Sequence, residues 1–152
     1  MKKIYLSLSV LSLVSCIEKN KESLYQKEII GTWKLISGMT IEKGDTTFVD
    51  YTNHQKGIKM INTTHFSFLN HDLNKGKSEN PIFTVGGGTY SLEGNMYTEN
   101  LEYCNYRDWE GNSFSFEIAI KNDTLIQQGV EKISDLGINR VNIERYVKIS
   151  KQ

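Results

Sequence analysis

Between Met96 and Cys104 the segment MYTENLEYC alternates, which puts Tyr97, Glu99, Leu101 and Tyr103 on one strand face. If that face points inward, Glu99 is a carboxylate taken out of water, a costly state unless it is paired, hydrated or protonated. Three arrangements satisfy it. Glu99 makes a structural hydrogen bond to a tyrosine or an arginine; it is a polar anchor in a ligand cavity; or the strand faces the other way and Glu99 meets solvent. Tyr90 on the preceding strand, Phe66 and Phe68 before that, and Phe114 and Phe116 on the following strand supply aromatic surface around it. An apolar wall with a few polar groups is a common design for small-molecule sites, although the same residues also describe a filled core. Glu99, Tyr90, Tyr97, Tyr103, Phe66, Phe68, Phe114 and Phe116 are therefore the candidate ligand-binding residues.

Other chemistries find less support. Gly86-Gly87-Gly88 is followed by Thr89-Tyr90-Ser91-Leu92, a strand-like run with no Lys-Ser/Thr. A phosphate cradle needs its glycines at a strand-to-helix junction, so these glycines are expected to bend a sheet. His54, His65 and His71 have no ligand-like spacing and no neighbouring cysteine, so no metal site is expected. Gly-x-Ser-x-Gly is absent, and Glu99 and Glu102 fall on opposite strand faces, so no catalytic residue, cofactor or enzymatic activity is expected. The 18 basic and 18 acidic residues balance and form no basic stripe, which argues against a nucleic-acid partner.

The elements that carry these residues read as strands. Period-two alternation recurs from Thr32 to Ile149, proline occurs once, at Pro81, and helical periodicity is weak. Turns at Lys43-Gly44-Asp45, Asn62-Thr63, Glu93-Gly94-Asn95 and Asn122-Asp123 and loops at 71–81 and 105–112 divide the chain into about eight or nine strands. Ser23 and Leu24 to Glu28 predict one short N-terminal helical turn. Short sequential hairpins without helical crossovers favour an all-β, antiparallel up-and-down barrel, in which closure removes exposed edges. A two-sheet sandwich is the rival.

The N-terminus carries Met1-Lys2-Lys3, an apolar run from Ile4 to Val14, and Leu13-Val14-Ser15-Cys16. The run is too short to span a bilayer as a permanent helix. In this order the residues resemble the signal and lipobox of bacterial lipoproteins. The resemblance implies a signal peptide at 1–15, diacylglycerol on Cys16, acylation of the new N-terminus, a tether at 16–23 and a domain at 24–152. Loss of Lys2 and Lys3 leaves a net charge of about −2, and multiple acyl chains make anchoring stable. Ile17 follows Cys16 rather than the Asp that favours inner-membrane retention in some bacteria, so a cell-envelope site at the outer membrane is expected. With Cys16 lipidated, Cys104 is left alone and cannot form an internal disulfide.

Gly31-Thr32-Trp33, which follows the helical turn and opens the first strand, resembles the Gly-x-Trp signature of the lipocalin superfamily. GGGTYSLEGNMYTE, from Gly86 to Glu99, also resembles bacterial lipocalin-like lipoproteins. The family implies that Trp33 closes one barrel end beneath a basic residue of the last strand. Alternation in VNIERYVKI offers Arg145 for that role, on one face with Val141, Ile143, Val147 and Ile149. The middle lipocalin motif and a C-terminal helix have no evident counterpart. The implied function is to bind a small apolar or amphipathic ligand. The alternative is a non-catalytic interaction or scaffold lipoprotein with a filled barrel, acting through loops such as 71–81 and 105–112, with Trp109 as an exposed anchor.

Overall fold

A computed structural model describes residues 25–150. The expected signal peptide, the lipidation site Cys16 and the tether 16–23 lie outside the described residues. Residues 25–29 form the short helical turn, and nine strands come after it. They are β1 (Gly31–Glu42), β2 (Asp45–Asp50), β3 (Gln55–Ile61), β4 (His65–Asp72), β5 (Phe83–Glu93), β6 (Met96–Cys104), β7 (Ser113–Lys121), β8 (Thr124–Ile133) and β9 (Ile138–Lys148). Two single 3₁₀ turns, Arg107–Trp109 and Ser134–Leu136, sit in the loops before β7 and β9.

Every pairing is antiparallel, and consecutive strands pair from β3 through β9. β9 returns to β1 along Trp33–Ile41, which closes an eight-stranded barrel. The other edge of β1 is shared: its first half pairs with β3, and Ser37–Glu42 pairs with β2, the extra ninth strand. Turn chemistry fixes several of these registers. Lys43-Gly44 and Asn122-Asp123 are two-residue hairpin loops with both residues at positive φ, the geometry that matches strand twist. Asp72 secures the long β4–β5 loop, its carboxylate accepting hydrogen bonds from the backbone N–H of Gly76 at 2.7 Å and Ile82 at 2.8 Å.

Two bulges and one reversed strand depart from simple alternation. The β1–β9 register shifts between Leu35 and Ser37, so Trp33, Leu35 and Gly38 are buried while Ile41 is exposed. A second shift, at Gly87/Gly88 opposite β6, pairs Gly88 with Leu101 and Gly87 with Tyr103 and leaves Glu102 as the extra residue. An inserted residue reverses the facing of every strand position beyond it. Cys104 therefore turns inward and Tyr103 outward, 67% exposed, which removes Tyr103 from the interior face where alternation puts it.

On β9 the expected apolar face points outward. Arg145 pairs with Ile126 and Ser37 on the outer wall, while Tyr146 pairs with Leu125 and Leu35 on the inner one. Cross-strand partners outside, such as Met39 with Ile143 and Ile41 with Val141, cover the apolar residues that alternation assigns to the core. Inside, β9 presents Arg140, Asn142, Glu144 and Tyr146.

Candidate functional site

One end of the barrel is packed shut. Trp33 is fully buried and its Nε1 donates to the Ile29 carbonyl at 2.8 Å, drawing the helical turn across that end. Ile29, Leu92, Tyr97, Ile118 and Leu125 complete the buried cluster there. The cation over Trp33 is Lys148, with Nζ 4.9 Å from the ring centroid and donating to the Glu28 carbonyl at 2.7 Å. Arg145, the residue expected in this role, is exposed on the outer wall, because β9 faces the other way. Gly31 makes the lysine contact feasible. Its φ is 146°, and a Cβ there would lie 2.9 Å from Lys148 Cε.

Above this plug the interior is not filled. A cavity of about 480 Å³ lies in the other half of the barrel, within the usual size range of small-ligand sites. Its floor is a buried ion pair with a glutamine beside it. Lys59, 2% exposed, donates to Glu99 Oε1 at 2.6 Å and to Gln127 Oε1 at 2.8 Å. The Lys59 Nζ also lies 5.3 Å from the Tyr146 ring centroid and 5.9 Å from those of Phe66 and Tyr97. Burial pushes the Glu99 carboxyl above the usual carboxylate range, and the Lys59 ammonium offsets part of that rise. Tyr97, tilted against Tyr90 at 5.2 Å, keeps a buried hydroxyl with no hydrogen-bond partner.

The walls differ in character. Phe68 from β4, Leu101 from β6, Phe114 and Phe116 from β7 and Trp109 from the loop before β7 make an apolar side. Trp109 packs on Phe114 at 5.8 Å. β8 and β9 make a polar side. Glu131 accepts from Arg140 Nε at 2.7 Å and from Asn142 Nδ2 at 2.9 Å. Burial raises the Glu131 pKa, and Arg140 partly opposes this. The Arg140 guanidinium also lies 5.3 Å from the Trp109 ring centroid, joining the two walls near the mouth. Deeper down, Glu144 accepts from the Tyr146 hydroxyl at 2.6 Å. Burial is the main cause of the raised pKa values of Tyr51, Tyr97, Glu99, Glu131 and Tyr146, and the nearby Glu144 carboxylate adds to each.

Among the residues expected at a ligand site, Glu99, Phe68, Phe114 and Phe116 line the cavity. Phe66 and Tyr97 belong to the packed cluster beneath it. Tyr90 lies at the barrel edge, where its hydroxyl donates to the Asn62 carbonyl at 2.7 Å. Tyr103 is outside. The glycine run sits where neighbouring atoms leave no room for a Cβ. A Cβ on Gly88 would lie 2.0 Å from the Asn100 carbonyl oxygen, one on Gly87 2.6 Å from the Phe66 oxygen, and one on Gly86 2.5 Å from the Phe68 ring. The glycines let β5 press against its neighbours at the bulge, and the Phe68 ring fills the space that Gly86 leaves. A shallow hollow of about 540 Å³ runs over the same glycines.

Lys59, Gln127, Glu131, Arg140, Asn142 and Glu144 are missing from the sequence-derived candidates. Parity alone does not single out Lys59, since both faces of β3 carry apolar residues. Lys59 shares a face with Gly57 and Ile61, and those three are the buried residues of β3. Among the described residues, no group of three or more His, Cys, Asp and Glu is placed to hold a metal ion, and no helix is long and apolar enough to cross a membrane. No protein-family model matches the chain, and no curated protein is significantly similar to it. The class is defined by geometry: a closed eight-stranded antiparallel barrel, plugged at one end and hollow at the other, an architecture compatible with ligand binding.

Proposed function

We propose that the protein is a lipocalin-like binding protein of the bacterial cell envelope, anchored through lipid on Cys16, that holds a small amphipathic molecule in its cup. The observation carrying this reading is the cavity of about 480 Å³ with one aromatic and one polar wall. A solidly packed barrel would have favoured the scaffold alternative. So would an exposed Trp109, which instead is half-buried and lines the cavity. The lipobox resemblance supports the anchor, and the Gly31-Thr32-Trp33 geometry supports the lipocalin-like reading. The role is binding without catalysis.

Native mass spectrometry of the chain expressed without residues 1–15 is the direct test. A co-purified small molecule, lost in Thr84→Trp at the cavity wall, is the expected result. Absence of any bound molecule from native-source protein, together with no binding across a panel of amphiphiles, would sink the reading. Intact-mass analysis of the protein from its own membranes should show acylated Cys16, and an unmodified Cys16 would remove the anchor.

A further inference from the structure

The five charged side chains lining the cup are not balanced. Lys59, Arg140, Glu99, Glu131 and Glu144 supply two cations and three carboxylates. Both cations are committed: Lys59 to Glu99 and Arg140 to Glu131. Among the described residues no ion pair includes Glu144, whose single protein hydrogen bond comes from the Tyr146 hydroxyl to Oε2. A second lining residue also lacks a donor. The Asn70 Oδ1 is buried without a partner, while its amide nitrogen is held by Gln55 Oε1 at 2.9 Å. A half-buried carboxylate and an orphaned carbonyl oxygen both call for N–H donors. Phe114, Phe116 and Trp109 line the same cup and supply flat apolar surface.

We infer that the ligand is a protonated amine with an aromatic or compact apolar body, its ammonium paired with Glu144 and its body against the Phe114–Phe116–Trp109 wall. This rests on the cup being a ligand site, as proposed above, and adds the ligand's charge. An anionic head group would instead meet the unpaired Glu144 charge in a site of low dielectric, a repulsion that selects against fatty acids. The aromatic wall also suits a cation, whose charge is attracted to ring faces.

The test compares three probes of similar shape, phenethylamine, phenethyl alcohol and phenylacetate, by calorimetric titration at neutral pH. Phenethylamine should bind about ten- to a hundred-fold more tightly than the alcohol, the range of a charge-assisted hydrogen bond, with phenylacetate weakest. In Glu144→Gln the Tyr146 hydroxyl keeps an acceptor, and the amine's advantage over the alcohol should vanish with circular dichroism unchanged. The wild-type ranking stands as a test even if that variant fails to fold. Equal affinities, a preference for phenylacetate, or an amine preference that survives Glu144→Gln overturns the charge assignment but leaves the cup as a ligand site. No binding by any of the three also overturns it, and native mass spectrometry then decides the fate of the cup separately.

Discussion

Lys59→Met separates the energetics of the floor from those of the walls. The substitution keeps an apolar stem of similar reach but removes the ammonium from Glu99 Oε1 and Gln127 Oε1, both now 2.6–2.8 Å away from it. Removing one partner of a buried ion pair leaves an uncompensated charge, at a cost of about 3–5 kcal/mol. For a domain of this size that lowers Tm by roughly 10–25 °C, taking about 3–5 °C per kcal/mol. The penalty should depend on pH in one direction. Burial already holds the Glu99 pKa above its ordinary value, and Lys59 opposes the rise. Without Lys59 the folded-state pKa climbs further. A carboxyl with a raised folded pKa contributes its full stability below the unfolded value, near 4.5, and loses it as pH rises through the folded value. The variant should therefore be weakest near neutrality and approach the wild type as pH falls toward about 5. Thermal unfolding followed by circular dichroism across that range reads both quantities. Lys59→Met paired with Glu99→Met removes both charges and should recover most of the loss. A single variant as stable as the wild type at neutral pH, or equally destabilised at both ends of the range, would refute the buried ion pair as the floor of the cup.

Two further perturbations test the barrel itself. Gly88→Ala drives a methyl group into backbone and should cost about 3 kcal/mol or more, the upper end of overpacking. Gly94→Ala, at φ 61° with nothing within 4 Å, should cost only about 1 kcal/mol of backbone strain; matching urea midpoints for the two would undo the close-approach account of the glycine run. At the plugged end, Lys148→Met should lose about 1–2 kcal/mol with its cation–π and hydrogen-bond contacts, whereas Arg145→Ala should stay within about 0.5 kcal/mol. The reverse order in chemical denaturation would restore Arg145 as the residue that closes the barrel.

Much of the barrel was legible because turn chemistry and strand alternation agree. Lys43-Gly44, Gly94-Asn95 and Asn122-Asp123 mark hairpins where the structure has them, and β7, with Phe114, Phe116 and Ile118 buried, follows simple parity. Parity failed where a residue is inserted. The bulge at Glu102 ejects Tyr103, and the one after Leu35 turns Ile41 outward. It failed on β9 for a different reason. The rule that apolar residues face inward presumes a filled core, and β9 borders a cavity. There Arg140, Asn142 and Glu144 line the hollow, while Val141 and Ile143 pack against Ile41 and Met39 outside. Glu99 was recognisable because a carboxylate between tyrosines breaks an apolar face. Lys59 was harder to see because apolar residues occur on both faces of β3, and a lysine between Ile58 and Met60 reads as solvent-facing.

The helical turn at 25–29 lies across the Trp33 end, so Tyr25, where the described residues begin, is on the side opposite the mouth. Eight residues separate Cys16 from Tyr25 and can extend at most about 28 Å, on the order of the barrel's own height. A bilayer attached at Cys16 would join the barrel on the plug side, which favours an opening turned to the aqueous compartment. The protein would then take molecules from solution rather than draw lipids out of its own leaflet, and what reaches Glu144 would be set by what diffuses through that compartment.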